Sequence, residues 1–329
     1  MSAVWPARPE AVPGWLHRRG GTALAGMAVP VACGGGGASM RRLLTTAAGF
    51  GRRSGGLGEG LSWLVHTLCT AQVVAPLSEG GEWRAAPADL VAGRRLVALA
   101  VTDARGSDGP AVAVADGDGW VLQGRKAYVT NGLTAGLTVV LVRIGAPDGE
   151  SAAFLLPAGT AGLALAAMDV PGLDEGAHAV LTLDGCRLPA TARLPAAGAA
   201  VDAAVRRFAG MERRLMPGLL LGAMERVIRD AVAQGLDAAS LGRLDAERQG
   251  AEALALRLID RRRRGGDSAL YVAAWEACRR FADAAEGASV GEPLPGMRVL
   301  LRIGLADSPR RLAKAGEEYR MVTEGSVRA

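Results

Sequence analysis

The hydrophobic period changes twice along the chain, near residue 98 and near residue 200, and this order of helix, strand and helix constrains the fold more than any composition does. In residues 1–97, "SMRRLLTTAAGFGRR" and "GLSWLVHTLCTAQVVAPL" space apolar residues at three and four, with loops at "GGGG" and "RRSGGLGEG". Then come short β-rich runs: "LVALAVTDA", "AVAVADGDGWVLQG", "KAYVTNG", "LTVVLVRIG", "SAAFLLPAG", "LALAAMDV" and "HAVLTLDGCRL". Asp-Gly, Pro and Gly signals separate them, a spacing that suggests a small sandwich or barrel. The helical period returns in "AAVRRFAGMERRLMPGLLLGAMERVIRDAVAQGL", where Pro217 predicts a kink, and in three further segments that read as a bundle. The expected fold is α+β and multi-domain: an N-terminal helical domain (1–97), a central β-barrel or sandwich (98–200) and a C-terminal helical bundle (201–329). No internal repeat is visible.

The 329 residues suffice for one large domain or two to three ordinary ones, and half of them are apolar. The net charge of +5 comes from scattered Arg without interleaved aromatics, which argues against nucleic-acid binding. The run Arg261–Arg264 reads as a solvated helix end. Cys33, Cys69, Cys186 and Cys278 are far apart, with no CxxC pair, so neither a zinc site nor a disulfide framework is expected. The N-terminus lacks a charged-then-apolar signal pattern and no apolar run is expected to span a bilayer, so the expectation is a cytoplasmic protein without a membrane partner.

Three motifs are set aside. "GGGGAS" lacks the Lys-Ser/Thr and the strand-to-helix context of a phosphate loop. "GASVG" at 287–291 matches G-x-S-x-G, but a helix precedes it and Pro293 and Pro295 follow, so it reads as a loop. His17, His66 and His178 lack metal spacing, and His66 reads as a satisfied, semi-buried helix residue.

What remains is a pair of segments in order, "ALAVTDARGSD" and "GWVLQGRKAYVTNG", followed by "GLDEGAHAVLTLDGCRLPATARL". Together they resemble the middle domain of acyl-CoA dehydrogenases, in which a Thr-Glu-Pro-x-x-Gly-Ser-Asp segment precedes a Gly-x-Lys-x-Trp-Ile-Thr-Asn segment. "GMAVPVACGGGGASM", "GLGEGLSWLVHTLCTAQVVAPLSEGG" and "GMERRLMPGLLLGAME" extend the resemblance over most of residues 20–260. The resemblance implies that both segments line FAD. Val101 and Thr102 would meet the flavin ring, Ser107 the pyrophosphate, Tyr128 would stand where a Trp stacks near the ring, and Thr130 would hydrogen-bond the reactive edge. Flat rings need apolar backing and short hydroxyls at their rim, which suits these residue types. Asn131-Gly132 would then turn the chain away.

The implied chemistry is α,β-dehydrogenation of an acyl thioester, on CoA or on an acyl carrier protein, since the helix "GLGEGLSWLVHTLCTAQ" resembles the secondary-metabolism subgroup. A carboxylate would remove the α-proton. Two glutamates fall where family members carry that base, Glu212 in "GMERR" and Glu324 in "VTEGS", and Glu212 is preferred because it lies in an ungapped stretch. The electron acceptor stays open. "LLLGAME" offers a small, apolar face for a homodimer or tetramer. The sequence also departs from the family: Asp103 replaces the Glu, the Pro and one residue are missing, and Ala238 stands where an Arg reaches a neighbour's FAD. Arg105 would supply charge to the pyrophosphate or be a solvated loop residue. Two other functions follow: a protein that keeps the fold but has lost flavin, and a flavin monooxygenase on the same fold.

Overall fold

The computed structural model describes residues 14–17, 21–78, 86–107, 109–260, 267–290, 294–306, 308–314 and 317. Its elements run in chain order: α1 (Gly14–His17), α2 (Gly21–Ala25), α3 (Met40–Gly51), α4 (Gly56–Cys69), α5 (Ala75–Leu77) and α6 (Ala86–Val91). Eight strands follow: β1 (Val97–Ala100), β2 (Val112–Asp116), β3 (Gly119–Val129), β4 (Leu137–Ile144), β5 (Ser151–Pro157), β6 (Leu163–Ala167), β7 (Ala179–Pro189) and β8 (Arg193–Ala197). The last helices are α7 (Ala199–Ala233), α8 (Ala238–Ile259), α9 (Asp267–Gly287) and α10 (Leu294–Leu305). Contacts group the chain into two compact units, divided inside α4 and inside α7. The first holds residues up to Ala38, Leu61–Val170 and Asp174–Glu212; the second holds Ser39–Gly60, Pro171–Leu173 and the residues from Arg213 onward.

The first unit is built on one mixed sheet of order β6-β7-β3-β2-β4-β5-β8. β4 is its junction. One edge of β4 pairs with β5 along Leu137–Arg143, while the other edge carries β1 and then β2, both parallel to it. Strands covered on both faces need apolar residues at every position. Accordingly β1 and Leu137–Val142 of β4 are buried throughout. β3 and β7 form a long antiparallel pair whose register shifts twice, between Leu122 and Gly124 and between Lys126 and Val129. The Asn131-Gly132 turn does not close a hairpin: β3 leads into β4, which lies two places away across β2.

His66 joins α4 to this sheet. It is fully buried, not semi-buried as its helical setting suggested. Its Nε2 lies 3.1 Å from the Leu90 carbonyl oxygen, and its Nδ1 accepts the Val97 amide at 3.2 Å. Both ring nitrogens are thus satisfied by a neutral imidazole carrying its proton on Nε2. The helix Gly56–Leu77 has the length and hydropathy to cross a membrane, a property the sequence reading missed, but its apolar window is mostly buried inside the chain. It is a core helix.

In the second unit, α3 lies against the part of α7 beyond Arg213. A Cβ on Gly222 would stand 2.0 Å from the Ala48 carbonyl oxygen, so the two backbones are in contact and only glycine fits. Arg52 closes the same crossing through a bidentate pair with Glu225. Leu219, Leu220, Leu221, Ala223 and Met224 are all buried within the chain. The stripe "LLLGAME" therefore packs inside the protomer and is not the exposed dimer face expected from sequence. α7 continues through Pro217 as one helix, with Leu215, Met216, Leu219 and Leu220 buried around the proline. "GASVG" begins at Gly287, the last residue of α9, and its Gly291, like Arg261–Arg264, lies outside the described residues.

Burial, opposed by the Leu90 hydrogen bond, lowers the His66 pKa from its ordinary 6.5 to about 4. A folded pKa below the unfolded one means that the unfolded chain binds the extra proton first. Stability should be unaffected by this group above pH 6.5 and fall by about 3 kcal/mol as the pH drops through that window. Urea midpoints measured at about pH 7 and about pH 4.5 should differ less in His66→Gln than in the native protein.

Candidate functional site

The site is a ledge made from the loop after β1 and the end of β3, all within the first unit. Hydrophobic alternation along β3 turns Leu122 and Lys126 to one face and Gln123 and Arg125 to the other. Lys126 thus enters the interior and is 2% exposed. Its ammonium donates to Asp103 Oδ1 at 2.7 Å and to the Val101 carbonyl at 3.1 Å. Asp103 Oδ1 also accepts the Ala111 amide at 2.9 Å. Backbone bonds complete the attachment: Ala127 N to Thr102 O at 2.9 Å, and Ala104 N to Arg125 O at 3.0 Å. Burial lowers the Lys126 pKa, the Asp103 bond opposes that shift, and nearby Arg143 adds to it.

This attachment brings Val101 and Thr102 beside Ala127 and Tyr128. Thr102 is exposed and Val101 half-buried. Tyr128 is 56% exposed and has a φ of 58°. Positive φ is unusual for a bulky residue, and here it coincides with the second register shift of β3 against β7. The irregularity turns an aromatic ring outward from a strand end. Ser107 sits at the far end of the loop, where its amide and its hydroxyl both donate to the Ala104 carbonyl, the hydroxyl at 2.8 Å. Arg105 is exposed. Thr130 is buried, with its Oγ1 3.3 Å from Nδ1 of His178. Asn131 Nδ2 donates to the Ser62 and Val97 carbonyls, which anchors the chain just after the ledge.

The hydrogen bonds that join the loop to β3 do not include Glu212. That residue is half-buried on α7. Glu324 lies outside the described residues. Sequence reasoning missed Lys126, Asp103 and His178. A charge at the inward parity of an apolar strand was the available signal for Lys126. His178 is far from Thr130 in sequence and left no signal.

Behind the loop is a cleft of about 360 Å³, lined by Asp103, Lys126, Arg143, Ser151, Asp202 and Arg206 among others. Ser151 Oγ links Arg143 (2.7 Å) to Asp202 (2.6 Å). Its lining shares Val101, Asp103 and Lys126 with the loop and β3 but does not include Thr102, Tyr128 or Thr130. The ledge has the residue types for a flat heteroaromatic ligand: an outward aromatic ring, hydroxyl side chains and loop backbone. Among the described residues, no cluster of three or more His, Cys, Asp or Glu could hold a metal.

Comparison with known proteins agrees with this architecture. Residues 98–186 match the acyl-CoA dehydrogenase middle domain. The chain is an acyl-CoA dehydrogenase-fold protein, with a central sheet and many helices. It is similar to FkbI, described as serving biosynthesis of the methoxymalonyl extender unit of the FK520 polyketide, with 21% identity, 95% of this chain and 94% of that chain covered, and a TM-score of 0.78. It is similar to a glutaryl-CoA dehydrogenase from Mycobacterium smegmatis in complex with FADH2, with 20% identity, 90% and 83% covered, and a TM-score of 0.72. It is also similar to the prolyl acyl carrier protein oxidase AnaB, with 18% identity, 93% and 88% covered, and a TM-score of 0.66. At these identities the likeness is one of fold. No curated protein sequence matches significantly.

Lys126→Met should leave Asp103 without its cation and free the loop. Breaking a buried pair costs several kcal/mol, and the partial exposure of Asp103 reduces this to about 1–3 kcal/mol. Denaturation should register that loss, and hydrogen exchange should accelerate at the Ala104 and Ala127 amides.

Proposed function

We propose that this protein is a flavin-dependent dehydrogenase of acyl thioesters carried by CoA or by an acyl carrier protein. The observation that carries the reading is the juxtaposition of Thr102 with Tyr128 through the Ala127–Thr102 backbone bond. That bond brings two exposed residues, Thr102 and Tyr128, onto adjoining chain segments, the two that resemble the flavin-lining segments of the family. The residue types would suit FAD, with Thr130 the buried member of the set. Tyr128 and Val101 would back the ring, Thr102 and Thr130 would meet its polar rim, and the Ser107 loop would approach the pyrophosphate. Bound FAD would supply hydride acceptance from the β-carbon.

Glu212 would hold the base role by removing the α-proton, with Glu324 as the rival carboxylate. Two carboxylates at one carbon would repel and raise each other's pKa, so one suffices. The likeness to AnaB and FkbI supports a carrier-bound or extender-unit substrate in secondary metabolism. A homo-oligomer is part of the proposal, but through a surface other than the buried "LLLGAME" stripe.

A second reading is that the fold persists as a binding subunit without flavin. The Ser107 hydroxyl, which is already donated to Ala104, favours it. The as-purified absorption spectrum separates the two readings: flavin bands are expected, and a colourless protein that takes up no added FAD would overturn the dehydrogenase. In the active protein, Glu212→Gln should lower turnover by about 10²-fold or more and slow α-deuterium exchange of a bound acyl thioester. Full exchange in Glu212→Gln with loss in Glu324→Gln would move the base to the tail.

A further inference from the structure

Among the described residues, four non-glycine residues have positive φ, and three of them surround one contact. Tyr128 (58°) and Asn131 (65°) flank Thr130, and Ala177 (48°) precedes His178. Such conformations persist only where surrounding structure holds them, and they gather at functional sites. Here the holding structure is visible. Asn131 N donates to the Gly176 carbonyl at 2.9 Å, Leu133 N to the Ala177 carbonyl at 3.3 Å, and Met168 N to the His178 carbonyl at 2.9 Å. The imidazole also packs on Gly176, where a Cβ would stand 2.5 Å from Nε2. The backbone on both sides is thus fixed so that His178 Nδ1 meets Thr130 Oγ1 at 3.3 Å. Both side chains are buried, Thr130 at 7% and His178 at 6% exposed.

We infer that His178 is a positioning residue that orients the Thr130 hydroxyl toward the reactive edge of the bound flavin. The inference rests on the proposed function, since it takes Thr130 to face that edge. A free threonine hydroxyl rotates among several hydrogen positions. An Nδ1–H of His178 occupies one lone pair of Oγ1 and leaves the hydroxyl proton to donate outward, toward the acceptor nitrogen that an oxidised flavin presents. His178 touches neither the flavin nor the substrate in this arrangement. It acts through Thr130.

The test is reconstitution with FAD of the full chain and of Thr130→Val, His178→Leu, His178→Asn and the double variant Thr130→Val/His178→Leu. The readout is the ratio of oxidised to reduced flavin at equilibrium with a reference dye. Loss of one hydrogen bond predicts a change of about fivefold for His178→Leu. Thr130→Val should shift the ratio in the same direction, the double variant should go no further than Thr130→Val alone, and His178→Asn, which keeps a polar atom near the Nδ1 position, should recover most of the native ratio. An unchanged ratio in His178→Leu, or additive effects in the double variant, would overturn the role. If His178→Leu does not fold, the ring ¹⁵N resonances of His178 decide in the flavin-free protein: Thr130→Val should move Nδ1, and an unmoved Nδ1 overturns the contact. A native protein that takes up no FAD overturns the dehydrogenase reading and this role with it, whereas flavin bound with no dependence on His178 overturns this role alone.

Discussion

A buried ammonium must find oxygen partners or lose its charge, and Lys126 finds both of its named partners in the loop after β1. That one constraint organises the candidate site. The loop does not follow a regular ladder there, because β1 ends at Ala100 and β2 begins only at Val112. What holds it to β3 is the Lys126–Asp103 pair and the two backbone bonds beside it. The pair suits an Asp as well as the longer Glu of related segments, since Asp103 also receives the Ala111 amide and so closes the loop on itself. The shortened segment and the shorter side chain are consistent with each other.

The end of β3 adds a second constraint. Its register against β7 slips between Lys126 and Val129, so the residue after the anchored Lys126 and Ala127 cannot continue the pleat. Tyr128 takes the strained backbone and turns outward, while Thr130 and Asn131 turn back into the interior. Asn131 then spends its amide on carbonyls of α4 and β1. The chain passes from buried anchor to exposed ring to buried hydroxyl within five residues. The break in the alternation is the adjacent pair Lys126 and Ala127, both buried, before Tyr128 is exposed.

Much of this was legible in the sequence. The two changes of period located the helical and β-rich segments, and the paired motifs pointed to the loop and strand that meet at the ledge. Other features were hidden for physical reasons. An apolar, small-residue stripe such as Leu219–Met224 reads the same whether it covers another subunit or a neighbouring helix, and here Gly222 shows that the partner is α3. The period of α4 revealed a helix but not that burial of its His66 would be complete, because the covering carbonyl and amide come from Leu90 and Val97. Asn131-Gly132 announced a turn but not its destination, which depends on β2 lying between β3 and β4. The strain at Tyr128 and Ala177 is set by strand register and by packing, which no local residue pattern encodes.

In the proposed function, residues 101–107 and 127–130 would form one flavin-binding surface, held together by Lys126. Hydrogen–deuterium exchange of the native chain, with and without added FAD, tests it most directly. The account predicts slowed exchange in both segments together when FAD is present, with β6, which lies at the exposed sheet edge, unchanged. Exchange that stays the same in both segments at saturating FAD, or protection confined to residues outside them, would contradict it.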